Sequence, residues 1–185
     1  MRFNNHFRVE GKHAFLGASK YHWINYEIEK MERIWENKFS SERGTRIHKI
    51  AASLIRERIR LAPQELTLNM YVNDAIGFRM IPEQVLMFSD NCFGTADAIV
   101  FNKGILRVHD LKTGVHPGSE HQGEIYCALF CHEYGVNPYD IEMIIRIYQN
   151  DQIFETIADS AWIKDIMTKI ERFDKRIEQM KEVML

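Results

Sequence analysis

Thr95-Ala-Asp-Ala-Ile-Val-Phe-Asn-Lys-Gly-Ile-Leu-Arg-Val-His-Asp-Leu-Lys112 is the stretch that decides the fold. Two largely β-branched runs flank a turn that contains glycine, which is the pattern of a β-hairpin. Antiparallel pairing brings the start of the first strand beside the end of the second, so we expect Asp97 and Asp110 to lie close together. Because strand side chains alternate between two faces, Asp110 and Lys112 share one face.

Two acids followed closely by a lysine suit a metal-dependent phosphodiesterase. Carboxylates hold a hard divalent cation through oxygen, and a lysine can steady the attacking water and the negative charge that develops on the phosphate. An Asp-x-Lys pattern alone is common on surface strands and loops. The surrounding sequence must therefore supply further support.

Periodicity and capping residues predict the other elements. Residues 83–88 are ambiguous between a strand and a short helix, and a strand is favoured because it leads into the hairpin. The remaining predictions are a helix from Ser19 to about Asn37, a helix from Glu42 to about Leu61 capped by Ser41, a helix from Thr67 to about Gly77, a helix from Ser119 to Tyr134, a buried strand over 141–148 and a helix from about Ser160.

This order predicts a mixed α+β fold with a small central mixed sheet flanked by helices. With 185 residues and no linker in the sequence, we expect a single domain over 1–185. It comprises a helical part at about 15–80, a catalytic core at about 83–155 and a C-terminal helix at about 160–183.

Composition restricts the function classes. A net charge of −2 argues against a protein that coats nucleic acid by bulk attraction. The sequence has neither a secretory signal nor an apolar run of about 20 residues, so we expect no membrane association. Three cysteines are an odd number for a disulfide framework. These features favour the cytoplasm.

The C-terminal helix carries a heptad-like apolar seam with two interpretations. It can pack on its own domain, or it can pair with a second copy in a homo-oligomer. The seam consists of Ile163, Ile166, Ile170, Phe173, Ile177 and Met180.

Further candidate residues lie on the flanking elements. His48 is expected to point inward from its helix, and Gln122 and Tyr126 are four residues apart and so share a helix face.

Glu124 lies on another face of that helix and is expected to be exposed. Glu83 can approach a metal from the preceding strand. His116 lies in a loop from which it can approach substrate, whereas His109 alternates away from the catalytic face.

Four short motifs in order resemble the RecB-like branch of the PD-(D/E)XK nucleases, which includes the nuclease domain of RecB, CRISPR-associated RecB-like exonucleases and many phage nucleases. The resemblance covers roughly residues 40–150. The motifs are Gly44-Thr-Arg-Ile-His48, Gly94-Thr-Ala-Asp97, Asp110-Leu-Lys112 and Gln122-x-x-x-Tyr126.

The resemblance implies a restriction-endonuclease-like core and a site for Mg²⁺ or Mn²⁺. It implies that His48, Asp97, Asp110 and the main-chain carbonyl of Leu111 bind the metal. It makes Lys112 the catalytic lysine, and it gives Gln122 and Tyr126 the roles of holding the site and contacting DNA.

The chain also departs from the family pattern. The family often has Glu where Asp110 stands. Several relatives carry an iron–sulfur cluster with four cysteine ligands, but this sequence has three cysteines, so we expect no iron–sulfur cluster and core or near-core positions for these residues. Arg43 and Arg46 lie within about a turn of His48 and are the best candidates for phosphate contacts.

The function expected from the sequence is a metal-dependent DNA exonuclease in phage recombination or DNA processing, located in the host cytoplasm if phage-encoded. A recombination or single-strand-binding protein is a candidate partner besides DNA. The alternatives are a structure-specific endonuclease and a non-catalytic module that binds DNA or protein on the same fold.

Overall fold

The computed structural model describes residues 4–114 and 117–184. The chain divides into two compact units, residues 1–43 and 44–185, while the prediction of one domain stays a prediction. The predicted mixed α+β fold is confirmed. Its helices are α1 (Ile28–Glu57), α2 (Thr67–Gly77), α3 (His121–Tyr134) and α4 (Ser160–Met184), and its strands are β1 (Ile81–Ser89), β2 (Cys92–Asn102), β3 (Ile105–Leu111), β4 (Glu142–Gln149) and β5 (Gln152–Ile157).

The five strands form one mixed sheet in the order β1-β2-β3-β4-β5. Neighbours are antiparallel except β3 and β4, which are parallel. A parallel pair needs a long crossover, and α3 supplies it. The predicted hairpin is confirmed: Ala98 pairs with His109, and Asn102 pairs with Ile105 next to the turn.

Two apolar clusters fix the sheet between the helices. One cluster joins the sheet to α3 and α4, and includes Val108, Ile145 and Ile163. The other joins the sheet to the C-terminal part of α1 and to α2, and includes Ile55. Gly123 allows α3 to approach β4 closely, because a Cβ there would lie only 2.5 Å from Cγ2 of Ile145. The three cysteines lie in or against the first cluster, as expected.

The N-terminal helices differ from the prediction. Residues Ala18–Asn25 form 3₁₀ turns, so the helix expected from Ser19 to Asn37 is wrong over its first half. α1 then runs without a break to Glu57, and Ser41 lies inside it rather than at a cap. Serine and glycine in a helix interior each cost no more than about 1 kcal/mol, and burial of Gly44 and the apolar residues after it outweighs that cost.

Strand β5 was missed by the sequence analysis. Its sequence Gln-Ile-Phe-Glu-Thr-Ile does not alternate between apolar and polar residues, which is the pattern by which half-buried strands are recognised, and all six residues are exposed. It returns from β4 through Asn150 and Asp151, which both have positive φ (51° and 57°). Two such residues in succession are typical of the tight turn of a β-hairpin.

The apolar seam of α4 is divided between two environments. Ile163 is fully buried, and Ile166 and Ile170 pack against the core, so the first half packs on its own domain. Phe173 and Met180 are about half exposed, and the homo-oligomer at this end stays a prediction.

Among the described residues, no helix combines the length and the apolar character that crossing a membrane requires.

Candidate active site

A histidine and two acids meet at one end of the sheet. α1 carries His48, whose Nδ1 lies 3.1 Å from Oδ1 of Asp97. The other carboxylate oxygen of Asp97 accepts a hydrogen bond of 2.9 Å from the main-chain N–H of Leu111. Glu83 of β1 completes the group, because one potential ligand atom from each of His48, Glu83 and Asp97 lies within 4.8 Å of the others.

The charge around His48 is negative. Its hydrogen bond with Asp97 raises the pKa of the imidazole, against the lowering effect of burial, and the charges of Asp97, Glu83 and Asp110 raise it further. The same field that stabilises a protonated histidine attracts any other cation. The centre is therefore built to hold positive charge.

Glu83 reaches this centre from an unusual backbone conformation. Its φ is +54° near the start of β1, although non-glycine residues seldom adopt positive φ, and strain of this kind clusters at functional sites. Its strand neighbours Pro82 and Gln84 keep regular pairing with Ala98 and Ala96. The irregularity is therefore confined to the residue whose carboxylate joins the histidine–acid group.

Asp110 and Lys112 form an ion pair beside this group. Lys112 Nζ donates a hydrogen bond of 3.0 Å to Oδ1 of Asp110 and lies 2.9 Å from Oδ2. Oδ2 is buried and makes no hydrogen bond. Burial raises the pKa of Asp110 despite the nearby ammonium, and the charge of Asp97 raises it further.

Lys112 is held by a chain of hydrogen bonds. Its Nζ donates to Oε1 of Gln122 at 2.7 Å, and Nε2 of Gln122 donates to the Tyr126 hydroxyl at 3.0 Å. Tyr126 in turn donates to the Thr95 carbonyl at 2.6 Å. A Cβ at Gly94 would lie 2.9 Å from the tyrosine ring, so glycine leaves room for the ring there. The predicted pairing of Gln122 with Tyr126 on one helix face is confirmed.

Glu124 was predicted to be exposed, and this prediction is wrong. It is buried, and its Oε2 accepts a 2.9 Å hydrogen bond from Nε1 of Trp162 on α4. The same oxygen lies 2.8 Å from Nδ1 of His121. The sequence could not indicate this burial, because it depends on how α4 packs across α3.

His109 is absent from the centre, as expected from its place in the alternation. It is fully buried, with Nδ1 3.1 Å from the hydroxyl of Tyr148 and a ring contact with Phe78. Burial lowers its pKa to about 3, and the charges of Arg146 and Arg107 act in the same direction. It is therefore a neutral core histidine on the other side of the sheet.

The remaining predicted site residues are Leu111, Arg46, Arg43 and His116. Leu111 contributes its N–H to Asp97, and its main-chain carbonyl as a metal ligand stays a prediction. Arg46 is exposed on α1, where a phosphate can reach it. Arg43 belongs to the first compact unit, so its DNA contact stays a prediction. His116 lies outside the described residues.

The residues could hold a metal ion. The donors are carboxylate oxygens and one imidazole, and carboxylate oxygens are ligands that hard divalent cations prefer. The buried Oδ2 of Asp110, which makes no hydrogen bond, is a further oxygen beside them. The family resemblance implies His48, Asp97 and Asp110 as ligands, and the sequence indicates only that Glu83 can approach the metal. The cluster of three contains His48, Glu83 and Asp97.

Comparison with known proteins adds no identification. The sequence matches no protein-family model, and it matches no curated protein.

Proposed function

We propose that the protein is a metal-dependent deoxyribonuclease of the RecB-like PD-(D/E)XK type. The observation that carries this proposal is the grouping of His48, Glu83 and Asp97 within ligand distance, next to an Asp110–Lys112 ion pair. Carboxylates that share a site with a fixed lysine are suited to a phosphate diester, which brings negative charge to a cation and to an ammonium.

The acids and the histidine would hold Mg²⁺ or Mn²⁺. Asp97 is oriented from two sides, by the ring of His48 and by the N–H of Leu111, so its carboxylate needs little rearrangement. The bound cation would act as a Lewis acid on the phosphate and lower the pKa of a water molecule. Glu83 and the buried Oδ2 of Asp110 add negative charge beside them.

Lys112 has the role of a fixed positive charge. Its ammonium is kept in place by Asp110 and Gln122, and it has three hydrogens, of which one remains for a water or a phosphate oxygen. Tyr126 and Gln122 keep the lysine from swinging into solvent. Arg46, and Arg43 from the first unit, are proposed to contact phosphates away from the cut.

The proposed setting is DNA processing or phage recombination in the cytoplasm, with exonuclease action on a strand end. A recombination or single-strand-binding protein is a suitable partner, since the acidic chain gains little DNA affinity from its overall charge. A covalently closed circle separates the two modes of action, because only an endonuclease can open it.

The test uses labelled linear and circular DNA with EDTA-treated protein, to which Mg²⁺ or Mn²⁺ is added back. We expect cleavage only with metal, and a loss of about 100-fold or more in Asp97→Asn and Asp110→Asn, a size typical for removal of a group that stabilises a transition state. Asp165→Asn is the matched control, because Asp165 is an exposed acid on α4. Calorimetry with Mn²⁺ measures binding independently.

Two results would contradict the proposal. One is Asp97→Ala cutting DNA at the wild-type rate. The other is the absence of Mn²⁺ binding at millimolar concentration, which would favour a non-catalytic binding module on the same fold.

A further inference from the structure

A cavity of about 560 Å³ opens on the sheet near the ion pair. Its size falls in the range of small-ligand pockets, roughly 300–1,000 Å³. Ile147 and Gln149 of β4 line it together with Phe154 of β5, and the segment from Pro117 to His121 at the start of α3 lines it from the other side.

Strand pairing places this cavity next to the acids. Asp110 pairs with Ile147, and Ile147 pairs with Phe154. Paired residues project from the same face of a sheet, and neighbouring strands lie about 4.8 Å apart. Phe154 therefore lies in line with Asp110, at a backbone distance of roughly 10 Å.

Gly118, shortly before α3, links the cavity to the lysine. A Cβ at Gly118 would lie 3.0 Å from Cγ of Lys112 and 3.1 Å from Cγ2 of Ile147, so this glycine touches both. Gln149, which is only 3% exposed, accepts a 2.9 Å hydrogen bond from the N–H of Gly118. It also donates a 2.6 Å hydrogen bond to the carbonyl of Gly114. The wall of the cavity is therefore anchored from within the sheet.

The chemistry of the lining favours an uncharged, flat ligand. Phe154 offers a half-exposed aromatic ring, and such rings stack on nucleobases. Ser119 and His121 are polar lining residues. Among the described lining residues there is one acid, Glu120, and neither lysine nor arginine, so the cavity is poorly suited to a phosphate.

We propose that this cavity receives an unpaired nucleobase of the strand that is cut, stacked on Phe154 beside the cleaved phosphate. The proposal rests on the nuclease function proposed above and names its substrate class. A base that enters the cavity cannot be paired at the same time. The substrate is therefore a single strand or an opened strand end rather than an intact duplex.

The test compares Phe154→Ala with Ile153→Ala. Ile153 is the neighbouring exposed residue of β5, and its side chain projects from the opposite face of the strand. Phe154→Leu keeps apolar bulk without the ring. A single-stranded oligonucleotide containing 2-aminopurine reports stacking through quenching of its fluorescence, with EDTA present so that no strand is cut. Cleavage of single-stranded and blunt duplex DNA is then measured with Mg²⁺.

We expect Phe154→Ala to weaken binding of the single strand about tenfold, in line with one lost base–aromatic stack, and to reduce the quenching. Phe154→Leu should lie between Phe154→Ala and the wild type, and Ile153→Ala should match the wild type. In cleavage, Phe154→Ala should lose about tenfold in kcat/KM on the single strand.

The remaining outcomes separate the two proposals. Equal quenching, binding and cleavage by Phe154→Ala and Ile153→Ala would overturn the cavity proposal while leaving the nuclease intact. Quenching that depends on Phe154 in a protein that cuts no DNA with Mg²⁺ or Mn²⁺ would support the cavity and overturn the nuclease. A wild-type protein that neither binds nor quenches the single strand would overturn the cavity proposal.

Discussion

Glu83 has a strained backbone conformation and also supplies a carboxylate to the proposed metal site. Replacing it by glycine and by alanine should separate the effect of the strain from the effect of the lost carboxylate. Its φ of +54° lies in the left-handed region, which costs a residue with a Cβ roughly 1–2 kcal/mol. Glycine avoids that cost but loses about 0.5–1 kcal/mol more in backbone entropy on folding. Glu83→Gly should therefore be more stable than Glu83→Ala by about 0.5–1 kcal/mol.

Comparing glycine with alanine isolates the backbone, because both substitutions remove the carboxylate. For a chain of this size the gain corresponds to a Tm higher by roughly 1–4 °C. Lys103 in the β2–β3 turn has a φ of +51° and is not part of the acid cluster. Lys103→Gly should exceed Lys103→Ala by a similar amount, which makes it the matched control.

The assay is urea and thermal unfolding in EDTA, followed by calorimetry with Mn²⁺. Both Glu83 variants should bind Mn²⁺ more weakly than the wild type, while the Lys103 variants should bind it unchanged. The strain argument fails if glycine gives no gain over alanine at position 83 but does at position 103. The ligand assignment fails if Glu83→Ala binds Mn²⁺ like the wild type.

Three further predictions concern the residues around the site. In EDTA, Lys112→Ala should lower the free energy of unfolding by about 3 kcal/mol, because it leaves the buried Asp110 carboxylate unpaired. Urea unfolding measures this loss, and the double variant Lys112→Ala/Asp110→Asn should recover much of it. Since burial lowers the native pKa of His109 to about 3 and its unfolded pKa is about 6.5, the unfolded chain binds the extra proton as the pH falls below about 6.5. Unfolding at pH 7 and pH 5 should therefore show a loss of about 2 kcal/mol that is smaller in His109→Gln. Gly94→Ala should destabilise by about 1–3 kcal/mol, because its Cβ would press on a Tyr126 ring fixed by its hydroxyl, and it should also slow cleavage in the nuclease assay.

The hairpin and its acids were predictable from local chemistry. Alternation and the Asn-Lys-Gly turn specify the strand pairing, and pairing alone brings Asp97 near Asp110. The position of Glu83 was harder to infer. Its carboxylate joins the cluster through a positive φ that no residue type at that position signals, so the sequence indicated only that it was nearby. Glu124 shows the same limit for tertiary packing, since its burial depends on a tryptophan far along the chain.

The topology of the sheet explains why the acid site and the cavity lie next to each other. β3 has an antiparallel neighbour in β2 and a parallel neighbour in β4, so the chain must leave β3 at its carboxyl end and cross over through α3. Lys112 stands where the chain leaves the sheet, and the main chain of Gly114 and that of Gly118 are each hydrogen-bonded to Gln149 at the carboxyl end of β4. The carboxyl ends of the parallel strands β3 and β4 therefore lie side by side, with the acids at one and the cavity at the other. A strand of DNA laid along this edge would meet the acids, the lysine and the aromatic wall in turn. We therefore expect changes to the Gln149 anchor, like Phe154→Ala, to reduce cleavage and base stacking together, whereas changes to Glu83 should affect mainly cleavage.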